Sequence, residues 1–357
     1  MHRQLLEDRT FLRHFWHPVC TRAELETANP SGLGPLGVEL LGNKLVIANL
    51  NGEVVAMDDR CPHRFAALSK GRVEGDSLRC NYHGWKFNSA GQCTEIPACP
   101  EVPIPRKACT TRYECELRYD IVWVRLDSSW NCTEIPYFSE WDQPGMRNVV
   151  VPSYEWKTAA ERRWENFTDL SHFAFVHPGT LYDPAYSRPP IPNVDRVESE
   201  LRFAIEPPPE MLENLPENCP IGSFTYRCTM PYSINLKIQL YRDGTTFTLW
   251  TTSCPVSEDR CRNFLIISRE DKPNDPDHQH IAFQKIVLEE DQPIIESQSP
   301  KTISLEELSV VTDKVSNQYR KWLRELSLAA VEGKEAFVRC LHTPIVESEP
   351  ALQVVAN

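Results

Sequence analysis

The sequence predicts an α+β protein in which a small β domain precedes a larger domain of strands flanked by helices. The chain has 357 residues, which exceeds the roughly 100–200 residues of one domain, so two domains are expected. Short β-rich runs punctuated by Gly and Pro fill the first part, whereas helical patterns flank the strand candidates of the second. We place the boundary near residue 135, which gives domains of residues 1–135 and 136–357.

The composition argues against several functional classes. With 50 acidic and 38 basic residues the net charge is -12, so the surface should on average repel nucleic acid. The amino terminus is too charged for a signal peptide, and no run approaches the roughly 18 apolar residues of a membrane span. We therefore expect a cytoplasmic protein with no nucleic-acid and no membrane partner. The 13 cysteines, an odd number, favour metal ligation by some of them over a disulfide framework.

The first domain is predicted from short elements in chain order. Residues 11–16 and 21–27 have weak helical character, and β-rich runs follow at residues 38–41, 44–49 and 53–57. Asn51-Gly52 between the last two runs is typical of a two-residue hairpin turn. Further runs at residues 85–87, 110–117 and 121–126 have the spacing of a small sandwich or barrel.

The second domain is predicted to begin with a helix over residues 159–176. Strand candidates follow at residues 201–205, 223–230, 235–241, 246–253 and 263–268, and helical patterning returns at residues 278–290. A last helix is expected to start at Ser304, with Glu307 as its capping-box partner, and to continue through residue 323.

Two short segments of the first domain each combine one cysteine with one histidine. They read Cys61-Pro62-His63 and Cys80-Asn81-Tyr82-His83. Two thiolates and two imidazoles on paired loops suit a [2Fe-2S] cluster in which the cysteines hold one iron and the histidines the other. A structural zinc site accepts the same ligands, but zinc fingers pair Cys with Cys and His with His. The mixed halves therefore favour the Rieske type of cluster.

A second set of potential metal ligands lies in the helix predicted over residues 159–176. His172 and His177 are five residues apart, which on a regular helix leaves them well over a quarter-turn apart. Joint ligation therefore requires a π-type turn or fraying near Pro178. Two histidines and one carboxylate form the facial triad of non-haem Fe(II) oxygenases, which leaves positions open for dioxygen.

The carboxylate of this triad is expected from the run Glu289-Glu290-Asp291, at the end of the second helical pattern. We favour Asp291, and the residues by themselves leave the choice among the three open. Asp169, three residues before His172, is expected on the same helix face, where it can hydrogen-bond that ligand. The alternative for Asp169 is an ordinary exposed helix acid.

The stretch Gly32-Leu33-Gly34-Pro35-Leu36-Gly37 matches the dinucleotide-binding pattern G-x-G-x-x-G. That pattern requires a strand before it and a helix opening inside it. Here a turn at Asn29-Pro30-Ser31 precedes it and a β-rich run follows. We therefore expect NAD(P)H to be used only through a separate reductase.

The chain resembles the Rieske non-haem iron oxygenases. Their pattern N-x-x-D-x-x-H-x4-H is met by Asn166, Asp169, His172 and His177, and both Cys/His halves match without gaps. The resemblance implies a Rieske β domain followed by a helix-grip catalytic domain with an antiparallel sheet. It also implies catalytic roles for Asn166 and Asp169, the latter as the carboxylate that bridges the two metal sites. Finally, it implies a flavin and iron-sulfur reductase as partner, and a trimer in which electrons cross from one subunit's cluster to its neighbour's iron.

Within this superfamily the chain is most similar to the bacterial methylxanthine N-demethylases, over nearly its whole length. Their N3-selective members carry Gln and Leu where this chain has Gln284 and Leu288, whereas their N1-selective members carry Asn and Phe. Gln284, Leu288 and Asp291 share one helix face, so Asp291 as iron ligand would direct the first two toward the substrate. The alternative is that both residues serve only in helix packing. The similarity rests on residues 12–20, 160–167, 295–298 and 318–322.

The predicted function is hydroxylation of an N-methyl group by the oxygenase component of a methylxanthine N-demethylase. Attack at N3 is expected, for example conversion of theobromine to 7-methylxanthine with release of formaldehyde. The trimer is expected to contain identical subunits or to mix with a paralogous subunit, in a trimer or hexamer. One alternative is a Rieske oxygenase for O-demethylation or ring hydroxylation of another aromatic. A non-enzymatic Rieske electron carrier is a weaker alternative, because it needs only the first domain.

Overall fold

The protein is built on three antiparallel β-sheets and a small set of helices. The computed structural model describes residues 4–334, except residues 7, 131–133, 182–186, 198, 207–221, 242–243 and 273. Two of the sheets end by Arg125, and the third begins at Met146. The α+β fold class is confirmed. The domain boundary near residue 135 falls between these sheets and stays a prediction.

The strands alternate with tight turns along most of the chain. Numbered in chain order, they are β1 (His17–Thr21), β2 (Leu36–Leu40), β3 (Asn43–Leu50), β4 (Glu53–Asp58), β5 (Arg72–Glu74), β6 (Ser77–Arg79), β7 (Lys86–Asn88), β8 (Cys93–Glu95), β9 (Arg112–Arg118), β10 (Ile121–Arg125), β11 (Met146–Trp156), β12 (Asp195–Val197), β13 (Glu200–Ile205), β14 (Gly222–Thr229), β15 (Ser233–Leu240), β16 (Thr246–Ser257) and β17 (Arg260–Glu270).

The first domain contains two sheets, and side chains of β3 and β4 from the larger sheet pack with those of β6 and β7 from the smaller one in a shared apolar cluster. The larger sheet has the order β1-β10-β9-β4-β3-β2, and the smaller has the order β5-β6-β7-β8. The predicted hairpin at Asn51-Gly52 is confirmed, because Leu50 pairs with Glu53 and the two turn residues have φ of 54° and 92°. Positive φ at both positions is the requirement of a type I′ turn. One Cys/His segment lies in the connection from the larger to the smaller sheet, and the other lies in a loop of the smaller sheet.

The third sheet forms the platform of the second domain, in the order β11-β17-β16-β15-β14-β13-β12. Five of its strands correspond to the predicted runs, with bounds that differ by a few residues. The long edge strand β11 was not predicted from the sequence. It pairs with β17 from Met146 through Trp156, and the register shifts between Val151 and Tyr154. This irregularity interrupts the alternation of apolar and polar residues that identifies a strand.

The helices are α1 (Arg22–Thr27), α2 (Ala160–Thr168), α3 (Phe173–Val176), α4 (Asp277–Ser297) and α5 (Lys314–Val331), with 3₁₀ turns at Thr10–His14, Leu68–Lys70 and Val311–Asp313. The single helix predicted over residues 159–176 is wrong, because the chain breaks between α2 and α3. Asp169 follows α2 in an extended conformation (φ −91°, ψ 130°), and its Oδ1 accepts the N–H of Ser171 at 2.8 Å. An aspartate that bonds the backbone two residues on favours a turn over a helix.

The helix start predicted at Ser304 is also wrong. The Glu307 carboxylate does accept the N–H of Ser304, at 2.8 Å, but Ser304 pairs with Gln4 in an isolated β-bridge. Glu307 also binds the guanidinium groups of Arg162 and Arg320, at 2.6 and 2.8 Å. These contacts hold residues 304–307 in a turn, and the helix begins only at Lys314. In the part of the chain that the structure describes, no helix has the length and apolarity needed to cross a membrane.

Candidate metal centres

The two Cys/His segments form matching loops in the first domain. Cys61 lies in the loop after β4 and Cys80 in the loop between β6 and β7, and both side chains are buried. In each loop the cysteine carbonyl accepts the N–H of the residue four positions on, Phe65 at 2.9 Å and Gly84 at 3.0 Å. The cysteine N–H donates in turn to the carbonyl five positions on, at 2.8 Å in the first loop and 2.9 Å in the second. The two halves therefore have the same backbone shape.

The histidines of these loops lie side by side. The ring centroids of His63 and His83 are 4.4 Å apart, and His63 stacks on Trp85 at 4.7 Å. Nδ1 of His63 is buried without a hydrogen-bond partner, although buried polar atoms are normally paired. Burial raises the pKa of Cys61 to about 11, and a bound metal is what deprotonates such a thiol. The unpaired nitrogen and the buried thiols fit metal ligation.

The spacing of these four side chains favours a cluster over a single ion. A tetrahedral zinc site holds its ligand atoms within roughly 4 Å of one another. Within the described residues, one group of three potential ligands has its ligand atoms all within 4.8 Å of one another. It consists of His172, His177 and Asp291. The four side chains of the loops do not form such a group. A cluster that shares its ligands between two irons does not require all the ligand atoms to lie that close together.

The second set of ligands meets at one atom of Asp291. Nε2 of His172 lies 3.3 Å from Oδ1 of Asp291, and Nε2 of His177 lies 3.2 Å from the same oxygen. The two histidines flank the single turn of α3, His172 immediately before it and His177 immediately after it. Both histidines follow the break after α2, and His177 leaves the helical conformation (φ −117°, ψ 45°). Asp291 reaches them from the middle of α4.

Charge interactions reinforce this arrangement. Burial opposes the charged form of His172, but hydrogen bonds to Asp169 and Asp291 outweigh it and raise the pKa of His172 to about 9. Burial likewise opposes the ionised form of Asp291, and the two histidines outweigh it and hold its pKa well below the usual range. Nε2 of His177 is buried and makes no hydrogen bond of acceptable geometry. An unpaired buried imidazole nitrogen beside a second imidazole and an ionised carboxylate fits a divalent cation.

Asn166 and Asp169 both contact this set of ligands. Nδ2 of Asn166 donates to Oδ1 of Asp291 at 3.0 Å, in a buried hydrogen bond. Arg163, one turn earlier on α2, approaches Oδ1 of Asn166 at 3.5 Å. Oδ2 of Asp169 lies 3.4 Å from Nδ1 of His172, although the two residues do not share a helix face as predicted. Both residues therefore contact the three side chains without belonging to the group that could hold a metal ion.

The three carboxylates among which the sequence left the choice of a ligand open have different surroundings. Glu289 is 63% exposed at its side chain and pairs with Lys285 at 3.6 Å. Glu290 lies against Nδ1 of His177 at 2.7 Å, on the opposite edge of the ring from Asp291. Asp291 alone of the three faces both Nε2 atoms. Sequence reasoning did not assign the contact of Glu290, because it depends on which side of α4 meets His177.

A cavity of about 320 Å³ opens beside the ligands. Asn166, Asp169, His172 and Asp291 line its inner end, and Leu308 lies at its wall. Its remaining lining residues come from α2, from the end of α3, from the end of α4, from the segment before α5 and from α5 itself. The Asp169 side of the centre is therefore reached from this opening.

Gln284 and Leu288 lie elsewhere on α4. Gln284 is buried and Leu288 is half-buried against the apolar core of the second domain. Neither belongs to the described residues that line the 320 Å³ cavity. Their predicted contact with a substrate stays a prediction.

Comparisons with known proteins agree with this arrangement. Residues 15–106 match the Rieske [2Fe-2S] domain family, and residues 156–329 match the vanillate O-demethylase oxygenase C-terminal domain family. The methylxanthine N3-demethylase NdmB of Pseudomonas putida is 58% identical over 97% of this chain and 98% of its own length. The methylxanthine N1-demethylase NdmA of the same organism is 53% identical over 96% of this chain and 97% of its own length.

Solved structures of the same two proteins share the fold. The structure of P. putida NdmB covers 94% of this chain and 97% of its own with a TM-score of 0.86. That of NdmA with caffeine covers 96% of this chain and 98% of its own with a TM-score of 0.88. Both metal-binding domains are thus present in one chain, in the same order and over nearly the same length. This protein belongs to the Rieske non-haem iron monooxygenases, in the family of the methylxanthine N-demethylases.

Proposed function

We propose that this protein is the oxygenase component of a methylxanthine N-demethylase that removes the N3-methyl group, with theobromine converted to 7-methylxanthine. The observation that carries the proposal is the convergence of His172, His177 and Asp291 in a chain that also holds the Cys/His loops. Similarity to an N3-demethylase over nearly the full length supports the choice of substrate class. The cytoplasmic location expected from the sequence belongs to the same proposal.

Two metal centres are assigned to the residues described above. His172, His177 and Asp291 hold a mononuclear iron, and the paired loops hold the [2Fe-2S] cluster through Cys61, Cys80, His63 and His83. When bound, these centres supply dioxygen activation and electrons that originate from NAD(P)H in a separate reductase. The protein itself supplies the geometry. Asn166 orients the Asp291 oxygen that faces both histidines, and Asp169 contacts His172 on the side of the open cavity.

The overall reaction balances as an oxidative demethylation. One dioxygen, two electrons and two protons convert the N–CH₃ group to N–CH₂OH and release one water. The C–N bond of this hemiaminal then breaks, the hydroxyl proton leaves, and the ring nitrogen takes up a proton. The products are formaldehyde and the N–H purine.

Substrate selection is assigned to α4. Gln284 and Leu288 precede Asp291 by seven and three residues, so all three lie along one side of the helix. The Gln284 amide can both donate and accept hydrogen bonds at the polar edge of a xanthine. Leu288 offers an apolar surface to its flat face. Theobromine is neutral, so the acidic balance of the chain does not oppose its entry.

The oligomer is assigned as a trimer, of identical chains or mixed with a paralogous subunit. Phe65 and Tyr82, on the two Cys/His loops, are 63% and 64% exposed. Leu308 and Val310, beside the cavity that ends at Asp169, are 96% and 63% exposed. Apolar groups at both places support contact between the cluster of one chain and the cavity of the next. Light scattering should give a molar mass three times the 41.0 kDa of one chain for a trimer, or six times that value for a hexamer. The mass of a monomer would contradict this assignment.

The decisive experiment is formaldehyde release from theobromine, caffeine and paraxanthine, with a competent reductase, NADH and dioxygen. Theobromine and caffeine should release formaldehyde, and caffeine should yield paraxanthine because only its N3-methyl group is removed. Paraxanthine, which lacks an N3-methyl group, is the matched control and should react slowly or not at all. If no methylxanthine reacts while iron and the cluster are present, the substrate assignment is wrong and the oxygenase class stands.

A further inference from the structure

The carboxylate of Glu290 holds the outer edge of the His177 ring. Its Oε2 lies 2.7 Å from Nδ1 of His177, and its Oε1 accepts a hydrogen bond from Oγ1 of Thr180, also at 2.7 Å. The His177 side chain is 1% exposed, and that of Glu290 is 28% exposed. Both oxygens of Glu290 are therefore engaged with the segment that follows α3.

This contact decides which nitrogen of His177 carries the proton. An ionised carboxylate only accepts hydrogen bonds, so Nδ1 must be the donor. In the neutral ring the lone pair then lies on Nε2, the atom that faces Oδ1 of Asp291 at 3.2 Å. Two consecutive residues of α4, Glu290 and Asp291, thus contact opposite nitrogens of the same imidazole.

The corresponding contact of the other histidine is longer. Nδ1 of His172 lies 3.4 Å from Asp169, at the weak end of hydrogen-bond lengths. The 2.7 Å contact of His177 has the length of a charge-assisted hydrogen bond. Glu290 is therefore the stronger anchor of the two, and it is carried by the helix that also carries Asp291.

We propose that Glu290 is a positioning residue, which fixes the tautomer and orientation of His177 and so increases the affinity of the site for iron. The inference rests on the proposed function, because it takes His177 as an iron ligand. It goes beyond that function by assigning a role to a carboxylate that is not itself a ligand. Carboxylates that accept a hydrogen bond from a ligating histidine typically contribute 10- to 100-fold to metal affinity.

The test is an anaerobic Fe(II) titration of protein whose mononuclear iron has been removed by a chelator and whose cluster is retained. Glu290→Ala should raise the dissociation constant for Fe(II) about 10- to 100-fold. Glu290→Gln should recover most of the affinity, because its amide oxygen can accept the same hydrogen bond. Thr180→Val leaves Glu290 in place but less well held, and should weaken binding about two- to tenfold. The visible spectrum of the cluster and the circular dichroism of the whole chain report that each variant is folded.

Glu289→Ala is the matched control, since Glu289 is the exposed neighbour on the same helix. It should bind Fe(II) like the unmodified protein. The inference is overturned if Glu290→Ala binds Fe(II) as tightly as the control, or if Glu290→Gln is as weak as Glu290→Ala. Failure of the unmodified protein to bind Fe(II) would instead contradict the proposed iron site, so the two failures are distinguishable.

Discussion

The hydrogen bond from Asn166 to Asp291 gives the most direct test of the ligand set. Replacing Asn166 by Ala removes the donor that lies 3.0 Å from Oδ1 of Asp291, the oxygen that faces both histidines. Both residues are 6% exposed, so water does not readily replace the lost partner. A hydrogen bond to a charged acceptor contributes about 1.5–3 kcal/mol, which corresponds to roughly 10- to 150-fold in an equilibrium constant. The affinity for Fe(II) and the turnover of theobromine should fall by that factor.

The isosteric variant Asn166→Asp should bind Fe(II) still more weakly than Asn166→Ala at neutral pH. It places a second carboxylate against Asp291, and like charges at that distance make one of them take up a proton. Asn317→Ala is the matched control, because Asn317 lines the same cavity but hydrogen-bonds Ser309 at 2.7 Å instead of a ligand. Iron content per cluster and initial rates of formaldehyde release measure the effect. Full iron content and turnover in Asn166→Ala, or an equal loss in the control, would refute the reasoning.

Three further outcomes are expected. Arg320→Met leaves the Glu165 carboxylate, 12% exposed and 2.8 Å from Arg320, without its partner. Calorimetry should therefore show a free energy of unfolding that is lower by about 3 kcal/mol and a Tm that is lower by about 6 °C. Combined Gln284→Asn and Leu288→Phe should shift the product of caffeine from paraxanthine toward theobromine on chromatography, and an unchanged ratio would contradict the substrate role of α4. Burial lowers the pKa of His17 to about 4, so the unfolded state binds the extra proton between about pH 6.5 and 4. As the pH is lowered through this range, the free energy of unfolding measured with urea should therefore fall by about 1.4 kcal/mol per pH unit. The fall should be smaller in His17→Gln.

Local sequence patterns predicted much of the fold. The Asn51-Gly52 turn follows from the backbone preferences of two residues, and five strands of the large sheet follow from short β-rich runs bounded by turn residues. The break after α2 escaped the same reasoning. Asp169 is compatible with a helix by propensity, and only its hydrogen bond to Ser171 decides that the chain turns there. The predicted start of a helix at Ser304 was wrong for a different reason, since Arg162 and Arg320 from other segments bind Glu307.

The two metal centres differ in how far the sequence determines them. Each Cys/His loop is closed by bonds within six residues, so ligand types and spacing can be read from the chain. The site at Asp291 depends on contacts between residues 113 and 125 positions apart, from Glu290 to His177 and from Asn166 to Asp291. The side of α4 that meets the histidines is a property of packing.

Sequence patterns therefore predicted the domain order, the family, the proposed cluster ligands and the two histidines, because short segments encode ligand chemistry directly. Helix packing, which the patterns do not report, directs Asp291 toward both Nε2 atoms and Glu290 toward Nδ1 of His177. It also placed Asp169 beside His172 without a shared helix face. Consecutive carboxylates are chemically equivalent in a sequence, and they acquire different roles only when the rotation of α4 about its axis directs one toward the ligands and the other to the outer edge of a ring.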